Sequence, residues 1–116
     1  MIRRRHLLLA PLVALAVAAP AWGKATPLAG TVGPGFTITL KKGTSKVTKL
    51  KRGKYTFVIR DKSGIHNFHL KGPTSKMFTS VSFTGTKTVT LTLKPGKYTY
   101  VCDPHASSMR GSFRVT

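Results

Sequence analysis

After residue 35 the chain alternates apolar and polar positions with a period of two, and turn residues break the alternation at short intervals. Phe36, Ile38 and Leu40 alternate with threonines, and Tyr55, Phe57 and Ile59 share one face of the next run. Further on, Val89, Leu91 and Leu93 lie on one side with threonines on the other, a residue that suits the exposed face of a strand. Pro95-Gly96 turns the chain into a run ending at Cys102, and residues 111–116 form a last strand. Gly33-Pro34-Gly35, Arg52-Gly53, Ser63-Gly64 and Gly72-Pro73 mark the other turns. Helical periodicity is absent after the first two dozen residues. About seven short strands at this spacing predict an all-β domain, a β-sandwich, with residues 24–30 read as a short flexible lead. No repeat, second domain or long low-complexity linker stands out.

The N-terminus has a different pattern. Arg3, Arg4, Arg5 and His6 form a positive segment, followed by an apolar stretch from Leu7 to Ala19 that is short for a bilayer span, then by small residues. Residues 1–23 therefore read as a cleaved export signal, with cuts after Ala18, Ala21 or Gly23 all compatible with the sequence. The arginines loosely resemble a twin-arginine signal but lack its polar lead-in and aromatic residue, which favours the general secretory route. On this reading Trp22 and His6 are lost, residues 24–116 are the working domain, and the protein is periplasmic, extracellular or held at the cell envelope.

Charge narrows the partners. From Lys24 onward seventeen Lys and Arg face only Asp61 and Asp103, a net charge of +15. A field of that size steers encounters toward acidic redox proteins, anionic envelope polymers or lipid head groups. Nucleic acid is not expected, because the chain is read as exported and has no basic, aromatic-rich reader motif. The lysines are spread along strands and turns, as on a solvated β-protein exterior, and a uniform positive charge favours a monomer.

The chemistry concentrates near the C-terminus. Cys102, the sole cysteine, is followed by His105 and Met109, so thiol, imidazole and thioether donors share one loop. One cysteine cannot form an internal disulfide, and an exported free thiol is open to oxidation unless something occupies it. A thiolate and two imidazoles with a weak axial thioether are the donors of a blue-copper site. The second imidazole comes from residues 65–70. Strand alternation puts His66 on the inward face with Phe68 and Leu70, and His69 outward with Ile65 and Asn67. His66 is therefore the expected ligand and His69 an exposed surface residue. The same parity sets Tyr98, Tyr100 and Cys102 together facing inward. Pro104 stiffens the loop between Cys102 and His105. Asn67 is either a residue tying its strand to the Cys102 loop or a plain turn-adjacent asparagine.

A His-Asn pair followed by Cys-x-x-His and a nearby Met resembles the cupredoxin family, the small blue-copper proteins that include plastocyanin, pseudoazurin and amicyanin. The resemblance spans the whole of residues 24–116. It implies a Greek-key β-sandwich of about seven to eight strands holding one type 1 copper ion, with His66, Cys102, His105 and Met109 as ligands. It also implies single-electron transfer through a surface-near His105. One departure is loop spacing: three residues separate His105 from Met109, against one more in many plastocyanin-like loops and one fewer in amicyanin-like loops.

Enzymatic readings are weak. A Cys-His nucleophilic pair needs a base and usually a third orienting group, and only two carboxylates are available after residue 23, Asp61 and Asp103, read as a turn residue and a loop residue. Zinc accepts His and Cys, but a methionine axial donor favours copper. The expected function is a non-enzymatic electron carrier working with a redox partner that has an acidic docking surface. The alternatives are a copper carrier or sequestering protein without redox turnover, and a basic β-sandwich that binds anionic polymers.

Overall fold

The computed structural model describes residues 24–116, so the expected export signal at residues 1–23, with His6 and Trp22, lies outside the described residues. The described chain forms ten strand segments and one short 3-10 turn. The strands are β1 (Thr26–Val32), β2 (Ile38–Lys42), β3 (Ser45–Lys46), β4 (Lys49–Leu50) and β5 (Gly53–Asp61), then β6 (His69–Lys71), β7 (Lys76–Met77), β8 (Gly85–Leu93), β9 (Gly96–Val101) and β10 (Arg110–Val115). Three of the ten are two-residue edge pieces, so the principal strands number seven, as the alternation predicts.

Two five-stranded sheets face each other, ordered β3-β2-β1-β5-β8 and β4-β10-β9-β6-β7. Crossovers between them place non-consecutive strands side by side, as a Greek-key sandwich requires. β1 runs parallel to β5 and β10 parallel to β4, while the remaining pairs are antiparallel. The inward sets are those the parity predicts: Tyr55, Phe57 and Ile59 from β5, and Tyr98 and Tyr100 from β9, are buried. Phe68 stacks on Tyr100 with ring centroids 5.6 Å apart, and Tyr98 on Phe113 at 5.1 Å. Each such fully buried large side chain contributes roughly 1.5–3 kcal/mol. Gly111 is required here, since a Cβ would lie 2.3 Å from the Tyr100 ring.

The N-terminal segment corrects one expectation. Residues 24–30 were expected to be a flexible lead, yet Thr26–Val32 is a central strand, bonded to β2 on one side and to β5 on the other. Pro27, Ala29 and Gly30 carry little strand propensity; two flanking ladders and the burial of Leu28 and Val32 override it. A second correction concerns Phe36. It lies before β2, which begins at Ile38, and is 62% exposed rather than part of an inward strand face.

The pairing directions bring the ends of β1, β5 and β9 and the starts of β6, β8 and β10 to one pole. There, Val32 pairs with Asp61, Asp61 with Gly85, and Val101 with both His69 and Arg110. No helix among the described residues is long and apolar enough to cross a membrane.

Candidate metal centre

Three donors converge at this pole. His66 and His105 stand with their Nδ1 atoms 3.2 Å apart, and Cys102 Sγ lies 3.6 Å from the first and 3.5 Å from the second. The three atoms form a nearly equilateral triangle. Its centre lies about 2 Å from each corner, close to the roughly 2.0–2.3 Å at which a first-row ion such as zinc binds imidazole nitrogen and thiolate sulfur. Among the described residues these three side chains are the group able to hold a metal ion. His66 and Cys102 are fully buried and His105 is partly exposed, so the pocket opens to solvent along one imidazole edge.

The backbone fixes each donor. Cys102 follows the last residue of β9 and caps the 3-10 turn Asp103–His105, in which Pro104 presets the backbone. The loop then closes on itself. His105 N–H donates to the Cys102 carbonyl at 3.0 Å, Met109 N–H to the His105 carbonyl at 2.8 Å, and Cys102 N–H to the Met109 carbonyl at 3.0 Å. Residues 102–109 are thus a closed ring of backbone bonds that carries Met109, itself buried, back toward Cys102 before β10 begins. His66 reaches the same point from the segment between β5 and β6, where Asp61 Oδ1 accepts the Ser63 N–H at 3.1 Å and turns the chain. Asp61 is accordingly a turn-forming residue, but a buried one. The tautomer that leaves Nδ1 free puts the His66 proton on Nε2, which is buried without a hydrogen-bond partner among the described residues.

Asn67 resolves in favour of the structural tie. Its Oδ1 accepts the Asp103 N–H at 2.7 Å, and its Nδ2 donates to Asp103 Oδ2 at 2.9 Å and to Met77 Sδ at 3.0 Å. The expectation for His69 is corrected: it is only 23% exposed and pairs with Asp103 through Nδ1 at 2.9 Å. Lys71 adds a charge 3.6 Å from Asp103 Oδ1. Partial burial opposes ionisation of Asp103. The bonds from Asn67 and His69, with the His69 and Lys71 charges, outweigh it and hold the carboxyl below its ordinary value.

Phe36 is the residue at this site that alternation misplaces. Its ring meets both imidazoles edge-on, with centroids 5.1 Å from His66 and 5.0 Å from His105. Exposed Ile65 and Met77 flank the same pole, next to His66 and against Asn67 respectively.

A family model described as "Copper binding proteins, plastocyanin/azurin family" matches residues 34–116. The chain belongs to that family. Its type 1 copper fits the two imidazoles and the thiol found here, with Met109 in the same loop. Among solved structures, the cupredoxin is similar to the copper protein rusticyanin, with 18% identity, 78% of this chain and 76% of that one covered, and a TM-score of 0.55. It is similar to a reduced mutant of amicyanin, with 18% identity, 78% and 83% covered and a TM-score of 0.51. A copper-containing nitrite reductase from Thermus scotoductus SA-01 matches 88% of this chain over 25% of its own length, with 23% identity and a TM-score of 0.54. These likenesses establish the fold. No curated protein sequence matches the chain.

Proposed function

We propose that this cupredoxin is an exported, non-enzymatic carrier of single electrons, with His66, Cys102, His105 and Met109 as its copper ligands. The observation that carries the reading is the triangle of His66 Nδ1, His105 Nδ1 and Cys102 Sγ, held by a buried strand end and a self-bonded loop. Copper, when bound, supplies a Cu(I)/Cu(II) couple suited to a mixed sulfur and imidazole donor set. The protein's part is to keep the donors fixed. Cys102 contributes as thiolate, and both imidazoles must be neutral at Nδ1. The Asn67–Asp103 clamp holds the loop against the β6 segment, which limits rearrangement between oxidation states. His105, the partly exposed donor, offers the edge through which an electron leaves.

The surface supports a redox partner with an acidic docking face. Seventeen cationic residues from Lys24 onward oppose two carboxylates, so association with an acidic protein is steered and weakens with salt. The same repulsive charge supports a monomer, and the N-terminal pattern of residues 1–23 supports export to the periplasm, envelope or exterior.

The test is the absorption spectrum of the metal-free protein after one equivalent of Cu(II), followed by voltammetry. An intense blue thiolate-to-copper band, lost in Cys102→Ser, with reversible one-electron reduction is the expected result. A blue band without reversible reduction would make the protein a copper carrier, and a folded protein with no band would overturn the electron-transfer reading and leave a carrier or a binding module.

A further inference from the structure

The pole opposite the metal centre carries a trough of about 970 Å³ lined by Lys24, Lys42, Lys49, Lys51, Arg52 and Lys54. All six are exposed. They come from four parts of the fold: the approach to β1, the end of β2, the β4 segment with its turn, and the start of β5. A second groove of about 310 Å³ shares Lys42, Lys49 and Leu50 with the first and adds Lys46, so the two adjoin. Seven of the seventeen described cations therefore line these two adjoining grooves.

Nothing in the described protein neutralises it with a side chain. Asp61 ends β5 and Asp103 follows Cys102, so both carboxylates sit at the metal pole. Mutual repulsion among seven cations opposes folding, and an anionic occupant would relieve it. Hydroxyl-bearing Thr26 and Thr92 add neutral donors along the same walls, while Arg52 Nε donates to the Thr116 main-chain oxygen at 3.3 Å.

We propose that this cation-lined trough binds a flexible, linear, phosphate-bearing polymer. Lysine ammonium groups act on phosphate as point charges, and affinity grows with each phosphate neutralised because condensed counterions are released. A bilayer surface fits the site poorly. The exposed large apolar side chains, Phe36, Ile65, Met77 and Val81, are absent from the trough lining, so it offers no wedge for insertion, and a flat array of head groups matches a concave surface poorly. Because the trough and His105 lie at opposite poles, a protein held this way keeps its metal edge free.

The experiment measures binding of linear polyphosphate to the copper-loaded protein across a salt series. Two triple variants remove equal charge: Lys49→Gln, Lys51→Gln, Lys54→Gln in the trough, and Lys62→Gln, Lys76→Gln, Lys87→Gln outside it. The trough variant is expected to lower the slope of log affinity against log salt by about two, while the other leaves it near wild type. Equal loss in both variants would show that net charge alone binds the polymer and would overturn the proposal. So would tighter binding to phosphatidylglycerol vesicles, or to duplex DNA, than to polyphosphate at matched phosphate concentration. The blue band reports that each variant remains folded and loaded.

Discussion

Asn67 and Asp103 hold each other in both directions, the backbone N–H of Asp103 donating to Asn67 Oδ1 at 2.7 Å and Asn67 Nδ2 donating to Asp103 Oδ2 at 2.9 Å. Asn67 is adjacent to His66 and Asp103 to Cys102, so the clamp joins the two chain segments that deliver the buried donors. Asn67 is itself 1% exposed. Asn67→Ala removes both bonds and leaves a backbone donor unpaired, which should cost about 2–4 kcal/mol. Loss of such a bond behind the ligands should also weaken copper binding about 10- to 100-fold. Urea unfolding of the metal-free protein and competition with a copper chelator read the two effects separately. An unchanged unfolding midpoint would show that the 102–109 ring holds itself.

Asp103 makes the clamp sensitive to acid. Its folded pKa lies below the ordinary 3.8, so the carboxylate's stabilising contribution is complete above that value and is lost as pH falls through the lowered folded pKa. In the metal-free protein, Asp103→Asn should flatten this part of the acid limb of stability. Thermal melts of wild type and variant between neutral pH and pH below 3.8 provide the comparison. Parallel acid limbs would assign the loss to other groups.

Much of this site was legible from side-chain parity. His66, Phe68 and Leu70 face inward as the alternation predicts, and so do Tyr98, Tyr100 and Cys102. The Asp103 network was not legible, although half its signal was present: Asn67 and His69 share a parity, read as outward though the structure buries Asn67 and half-buries His69, and Asp103 follows an inward cysteine. What was missing was register. His69 pairs with Val101 across β6 and β9, and continuing that register sets Asn67 opposite Asp103. Only the folded sheets supply that offset. Phe36 failed for a related reason. Its alternation with Ile38 and Leu40 is real, but the strand begins two residues later, which frees the ring to cover the imidazoles.

Gly33 backs His66 from the turn that follows β1. Its φ is +74°, and a Cβ there would lie 2.9 Å from Ser63 Cβ and 3.3 Å from His66 Cδ2. Gly33→Ala should therefore cost about 1–3 kcal/mol from backbone strain, with further loss from the clash. The displaced imidazole should also shift the blue absorption band. Denaturant unfolding and the copper spectrum measure these effects, and a variant matching wild type in both would show that Ser63 and His66 move aside freely.

Copper should stabilise the fold, since a metal that binds only the folded protein adds its binding free energy to folding. With free copper at a hundredfold excess over its dissociation constant the gain is about 2.7 kcal/mol. For a domain of this size that corresponds to roughly 10–20 °C in Tm. Scanning calorimetry of the metal-free, copper-loaded and Cys102→Ser proteins tests this, the last with added copper expected to melt near the metal-free protein. Equal melting of the loaded and metal-free wild type would mean that the donors are not brought together by folding.

Phe36 separates protection of the metal edge from stability. At 62% exposed it buries little area, so its two edge-on contacts with His66 and His105 are its main ties to the fold. Such pairs contribute about 0.5–1.5 kcal/mol each when well packed, and less for a ring this exposed, so Phe36→Ala should change unfolding free energy by less than about 1 kcal/mol. The same substitution uncovers the edge of His105 and admits water and small chelators to the one donor that already meets solvent. Stopped-flow removal of copper by a chelator should then be several-fold faster than in wild type, at nearly unchanged Tm. If the removal rate stays the same while the protein remains folded, metal release is governed by opening of the 102–109 loop, and Phe36 serves only as surface.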